Sequence, residues 1–112
     1  MSTTQDTERY NGWTNYETWN CKLWMDNDEG SQAYWRLVAR WAQANPSENE
    51  YMTLDRRIVH ALADNMQAQF EERAEAWMGN QTSFFADIFN AGLSRVNWLE
   101  IAESLIEEID AL

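Results

Sequence analysis

Residues 54–78 read LDRRIVHALADNMQAQFEERAEAWM, a long run of helical period. Ile58, Leu62, Met66, Phe70 and Ala74 recur four apart, Leu54 begins the stripe and Trp77 closes it. Apolar residues at that spacing line one face of an α-helix. Thr53 stands where an N-cap belongs, and Gly79-Asn80 supplies a stop. A helix with one greasy face must bury it against other elements, and the flanking sequence supplies them.

On the N-terminal side, Asn45-Pro46-Ser47 ends a second helix over about 30–44, because the residue before a proline is driven out of the helical region. Its expected inner face is Tyr34, Leu37, Val38 and Trp41, widened by Trp35 and Ala42. A first helix runs to about Met25, with Thr14 and Glu17 spaced as a capping box and Tyr16, Trp19, Leu23, Asn20 and Trp24 facing inward. Asp26, Asp28 and Glu29 break it and offer acidic caps to the second helix. On the C-terminal side, Ser83 caps a fourth helix with Phe84, Phe85, Ile88, Phe89 and Leu93 inward. Asn97, with Glu100 three residues on, caps a fifth whose apolar side is Trp98, Ile101, Ala102, Leu105, Ile109 and Leu112. A small hairpin around 45–53 or 79–84 stays open. The expectation is an all-α, compact single-domain bundle of about five helices with short loops. Residues 1–10 form a flexible tail and 11–112 the domain.

Fifteen aromatic residues, seven of them Trp, give a chain of 112 residues enough apolar area for a core. Its single cysteine, Cys21, excludes an internal disulfide and reads as a small core residue. No apolar run has the length of a membrane span, and the polar N-terminus lacks the apolar segment of a signal peptide. The expected location is the cytoplasm of a bacterial host.

Nineteen acidic residues against eight basic ones leave a net charge of −11. That opposes binding to nucleic acid or anionic membranes, both of which need Lys and Arg, and favours a basic protein partner. Its size exceeds the ~2–8 usual for a small domain. Enzyme chemistry finds no constellation. Cys21 and His60 are the only possible thiol–imidazole pair and lack an orienting third group. Asp26-x-Asp28-x-Gly30 fails the calcium-loop spacing, since Leu37 stands where the bidentate glutamate belongs. Neither a zinc set nor a phosphate-cradling glycine loop is present, so no cofactor is expected. Arg36, Arg40, Arg56 and Arg57 could form a small basic patch, but in so acidic a chain they read as ion-pair partners.

The acidity grows toward the C-terminus. Residues 81–112 hold six acids and one base. On the fifth helix Glu100, Glu103 and Glu107 share a face opposite Ile101, Leu105 and Ile109, at axial steps of roughly 4.5 and 6 Å, near the spacing of phosphates on a strand. With Glu108 and Asp110, and with Asp64, Glu71, Glu72 and Glu75 on the third helix, they form the candidate partner-binding face. The bland alternative is an ordinary solvated helix face.

Residues 11–20, NGWTNYETWN, followed by Leu23-Trp24-Met25-Asp26-Asn27-Asp28-Glu29, resemble a family of small phage, plasmid and bacterial proteins of unknown function. The match is strong over under a fifth of the chain. The resemblance implies a mobile-element origin and brings no catalytic residue. The motif has two readings. It is a folding unit in which Thr14 and Glu17 cap a helix anchored by Trp13, Tyr16 and Trp19. Otherwise Asn11, Trp13, Asn15 and Asn20, with Asp26, Asp28 and Glu29, form a second recognition surface.

Two functions follow. One is an anti-defence inhibitor that mimics DNA and occupies a basic nucleic-acid site of a restriction or CRISPR component. The other is an interaction module or homodimer that works through aromatic contacts without mimicry.

Overall fold

The computed structural model describes residues 9–78 and 84–112. They form five helices: α1 (Tyr16–Asp26), α2 (Glu29–Ala44), α3 (Leu54–Met78), α4 (Phe84–Ser94) and α5 (Trp98–Asp110). The fold is the expected all-α single domain. Among the described residues there is no strand, only an isolated bridge between Tyr10 and Trp13. The alternative of a hairpin over 45–53 is not realised, and residues 79–83, with the proposed Gly79-Asn80 stop and Ser83 cap, lie outside the described residues. So does the proposed tail as far as residue 8.

The long helix is the axis. α3 packs most extensively on α5, α2 lies against both, and α1 rests on α2 and α5. Met25, Leu62, Met66, Ile101 and Leu105 are the largest apolar side chains sealed from solvent. Ala39, Ala42 and Ala102 are fully buried and have no bulk to hold neighbouring helices apart. One aromatic column crosses three helices: Trp35 stacks on Phe70 at 5.3 Å, and Phe70 on Trp98 at 5.4 Å.

Three caps stand where the sequence places them. Asp28 accepts from the Gly30 and Ser31 amides, Thr53 from Arg56, and Asn97 from Glu100. At α1 the cap is Asn15 rather than Thr14: its side chain accepts the Thr18 amide at 2.9 Å. No capping box closes there, because Glu17 turns to Arg95 at 3.2 Å.

Several faces differ from expectation. α1 buries Thr18, Lys22 and Met25 and exposes Tyr16, Leu23 and Trp24. α2 buries Trp35, Val38, Ala39 and Ala42, leaving Tyr34, Leu37 and Trp41 outside. Ala39 and Ala42 permit close helix contact there, while Trp35 enters the core by stacking on Phe70. Trp77 at the end of α3 and Leu112 after α5 are also exposed. The largest departure is α4, where only Ala86 is buried and Phe84, Phe85, Ile88 and Phe89 face outward. Leu93, as expected, leans on the core.

Candidate functional site

The carboxylates proposed for recognition divide into two kinds. Glu108 is half-buried and meets the Lys22 ammonium at 2.8 Å and Arg36 at 3.8 Å. Lys22 is itself buried, and Asp26 one turn on is its second partner. An ammonium withdrawn from water needs such partners: Glu108 ties α1 to α5, and Asp26 completes the shell from within α1. Glu100 is also occupied: its carboxylate accepts the Thr14 amide at 3.0 Å and faces Arg9 at 3.8 Å. Asp110 accepts from the Gln43 amide, and exposed Glu103 sits 3.7 Å from Arg56.

The second kind faces solvent. Among the described residues Asp64, Glu72, Glu75 and Glu107 are exposed and have no ion pair, and Glu71 accepts only from Gln67. Glu100, Glu103 and Glu107 line a shallow groove together with Gly12, Trp13 and Ser104. Glu71 and Glu75 line a separate cleft between α3 and α4, and Asp64 a third hollow beside His60. The structure therefore brings Glu100, Glu103 and Glu107 together and leaves Asp64, Glu71 and Glu75 in other hollows and Glu72 on the open surface. The cations are mostly engaged: of the eight Lys and Arg, only Arg40 lacks a polar or aromatic partner among the described residues.

The N-terminal motif is a clasp. Tyr10 and Trp13 exchange two backbone hydrogen bonds of 2.8 Å around Asn11 and Gly12, whose φ values are +48° and +87°. Positive φ at both central residues is the type I′ turn, for which Asn-Gly is the preferred pair. Beyond it, the Asn15 side-chain amide donates to the Arg95 carbonyl at 2.8 Å. The Thr18 hydroxyl donates to Asn15 and accepts the Asn97 amide at 2.9 Å. Asn97 also donates to the Thr14 hydroxyl at 3.3 Å. Asn15 is thus spent on the fold, Asp28 on a cap, and Asp26 on Lys22. Asn11 and Glu29 remain exposed, while Trp13 and Asn20 are half-buried.

Asn20 lines a third feature, an apolar groove of about 400 Å³ between α1 and α4, with Cys21, Trp24, Phe70, Ile88, Phe89 and Leu93 around it. Burial pushes the Cys21 thiol up to about 12, so it stays protonated and is a poor nucleophile. His60 lines a different hollow. Among the described residues no group of three or more His, Cys, Asp or Glu is placed to hold a metal, and no helix is long and apolar enough to cross a membrane.

Residues 6–109 match the model of a family of unknown function, DUF7249. The chain belongs to that family. No curated protein and no solved structure matches the chain.

Sequence reading of this DUF7249 protein missed two features. Tyr10-Asn11-Gly12-Trp13 carries the type I′ signature outright, an Asn-Gly pair between aromatics. Burial of Lys22 had a weaker signal: it lies four residues after Thr18 and three before Met25, on the face opposite the rings.

Proposed function

We propose that this protein is an acidic binding protein of mobile-element origin that inhibits a host-defence component by occupying its basic nucleic-acid site. One observation carries the reading: among the described residues every cation but Arg40 has a partner within the fold, while several exposed carboxylates have no ion pair. Glu107 with Glu103 on α5, and Glu71, Glu72 and Glu75 on α3, present negative charge that is met, among the described residues, by the exposed Arg56 at Glu103 alone. Exposed pairs such as Glu103–Arg56 contribute little and yield readily to a stronger partner. The resemblance of the NGWTNYETWN segment to phage and plasmid proteins supports the setting. The protein acts by binding and carries out no reaction of its own.

The test is capture of a nuclease or CRISPR component from host lysate at low and physiological salt, followed by inhibition with the purified partner. Affinity falls on the order of tenfold or more between those salts if charge drives the contact. Replacing Glu71, Glu75, Glu103 and Glu107 with glutamine removes inhibition and leaves helix content intact. Full-strength inhibition by that variant sinks the proposal. Glu108 is unsuited to this test because Lys22 depends on it. Contact through aromatic rings without mimicry, favoured by the exposed side chains of α4, predicts instead a capture that salt does not weaken.

A further inference from the structure

The apolar surface around α4 has the size and the charge of a contact between two copies of the chain. Its outer face carries Phe84, Phe85, Ile88 and Phe89, and it continues onto Trp24 across the groove and onto Trp77, whose ring lies 6.1 Å from that of Phe89. These six side chains retain between 41 and 79 % of their surface in solvent. At about 200 Å² for a fully exposed large side chain and about two-thirds exposure, they present on the order of 800 Å². That is what each partner buries in a standard protein interface, and it exceeds the apolar patch a monomer ordinarily leaves open.

Charge chooses the occupant. Two chains of −11 repel wherever their acids meet. α4 has one charged residue, Asp87, whereas α5 has five carboxylates and no base. Beside the groove, Glu17 is already matched by Arg95, and Arg73 lies over the Phe70 ring at 5.7 Å. The outer face therefore carries a single acid, Asp87, in a strongly negative molecule, while Glu71 and Glu75 line the cleft on the Ala86–Asn90 side of α4. A cationic partner gains most of its energy at those acids and at α5 rather than on the ring-bearing face. A second copy meets least repulsion on this face. The groove supplies a socket beside the projecting rings, with open space above Gly92, so one patch can be self-complementary, as a two-fold contact requires.

We propose that the protein is a homodimer joined through the α1–α4 face, with Phe85 and Ile88 of each copy seated against the other copy's α1–α4 groove. The acids of α5 stay free on both subunits. This proposal stands apart from the reading of the acidic surface, and the two have opposite salt dependence. Screening strengthens a contact between like-charged chains and weakens one with a basic partner.

Sedimentation equilibrium of the full chain across a concentration series, at low and high salt, decides the matter. The expected result is a monomer–dimer equilibrium that shifts toward dimer as salt rises. The double variant Phe85→Glu and Ile88→Glu, both at exposed positions, weakens dimerisation roughly 30-fold or more, the loss of at least one anchor residue. Trp24→Ala weakens it as well. Leu37→Glu, an equally exposed apolar site on α2, leaves it unchanged. Circular dichroism checks each fold, and the Trp24 variant stands in if the double variant unfolds. A wild type that stays monomeric at every salt and concentration overturns the proposal. So does a dimer that neither the α4 nor the Trp24 substitution weakens. The acid-to-glutamine variant of the preceding section keeps its dimer, so the two proposals fail separately.

Discussion

Asn15 is the residue on which the N-terminal half of the molecule turns. Its side chain accepts the Thr18 amide and hydroxyl and donates to the Arg95 carbonyl. Asn15→Ala removes a cap and a contact between segments together, and is expected to cost about 2 kcal/mol or more. Thr14→Ala loses only a 3.3 Å bond from Asn97 and should cost well under half of that. Urea unfolding of both variants decides the order, and equal losses would restore Thr14 as the cap. Lys22 offers a second comparison. Glu108→Gln leaves the buried ammonium with Asp26 alone. The loss should be roughly 1–3 kcal/mol, below that of a fully buried pair because both carboxylates are about one-third exposed. Exposed Glu107→Gln is expected to stay within about 0.5 kcal/mol of wild type. If the two variants unfold at the same urea concentration, Glu108 does not support Lys22.

At the scale of helices, local chemistry was legible, and orientation was legible in α3 and α5 but not in α1, α2 or α4. Asp28, Thr53 and Asn97 each satisfy amides at a helix start, a short-range relation that needs no knowledge of the rest of the chain. The α5 stripe was also legible, because Ile101, Leu105 and Ile109 face acids on the opposite side. α2 was harder. Trp35, Val38, Ala39 and Ala42 hold as regular a helical spacing as the larger residues beside them. Only the closeness of neighbouring helices selects the stripe containing alanines. α1 inverts the usual rule, burying Thr18 and Lys22, because their partners Asn97 and Glu108 come from α5. α4 was read inward because phenylalanine usually is, yet only Ala86 is buried there. Of the candidate site, the acids of α5 were legible as a set, while the division between free and engaged carboxylates depends on neighbours some eighty residues away.

For the molecule as a whole, charge sets a further expectation. A net charge of −11 on a chain whose described Cα atoms have a radius of gyration of 15.3 Å makes the folded state repel itself more than the expanded one. Raising salt from low to moderate should therefore raise Tm by a few degrees, a shift readable by circular dichroism. The Phe85→Glu and Ile88→Glu variant is the proper sample, since salt would otherwise act on dimerisation too. A Tm that stays flat or falls would mean that the internal ion pairs outweigh the repulsion between free acids.

The clasp between residues 10–18 and 95–100 bears on the order of events during synthesis. Thr18 waits for the backbone amide of Asn97, Asn15 for the carbonyl of Arg95, and Lys22 for Glu108. All three partners lie in the last fifth of the chain. Early in synthesis the first helix therefore has α2 alone to rest on, and its polar contacts wait until residues 95–108 have been made. Until those residues emerge, the nascent chain leaves the Asn-Gly-Trp segment without its clasp.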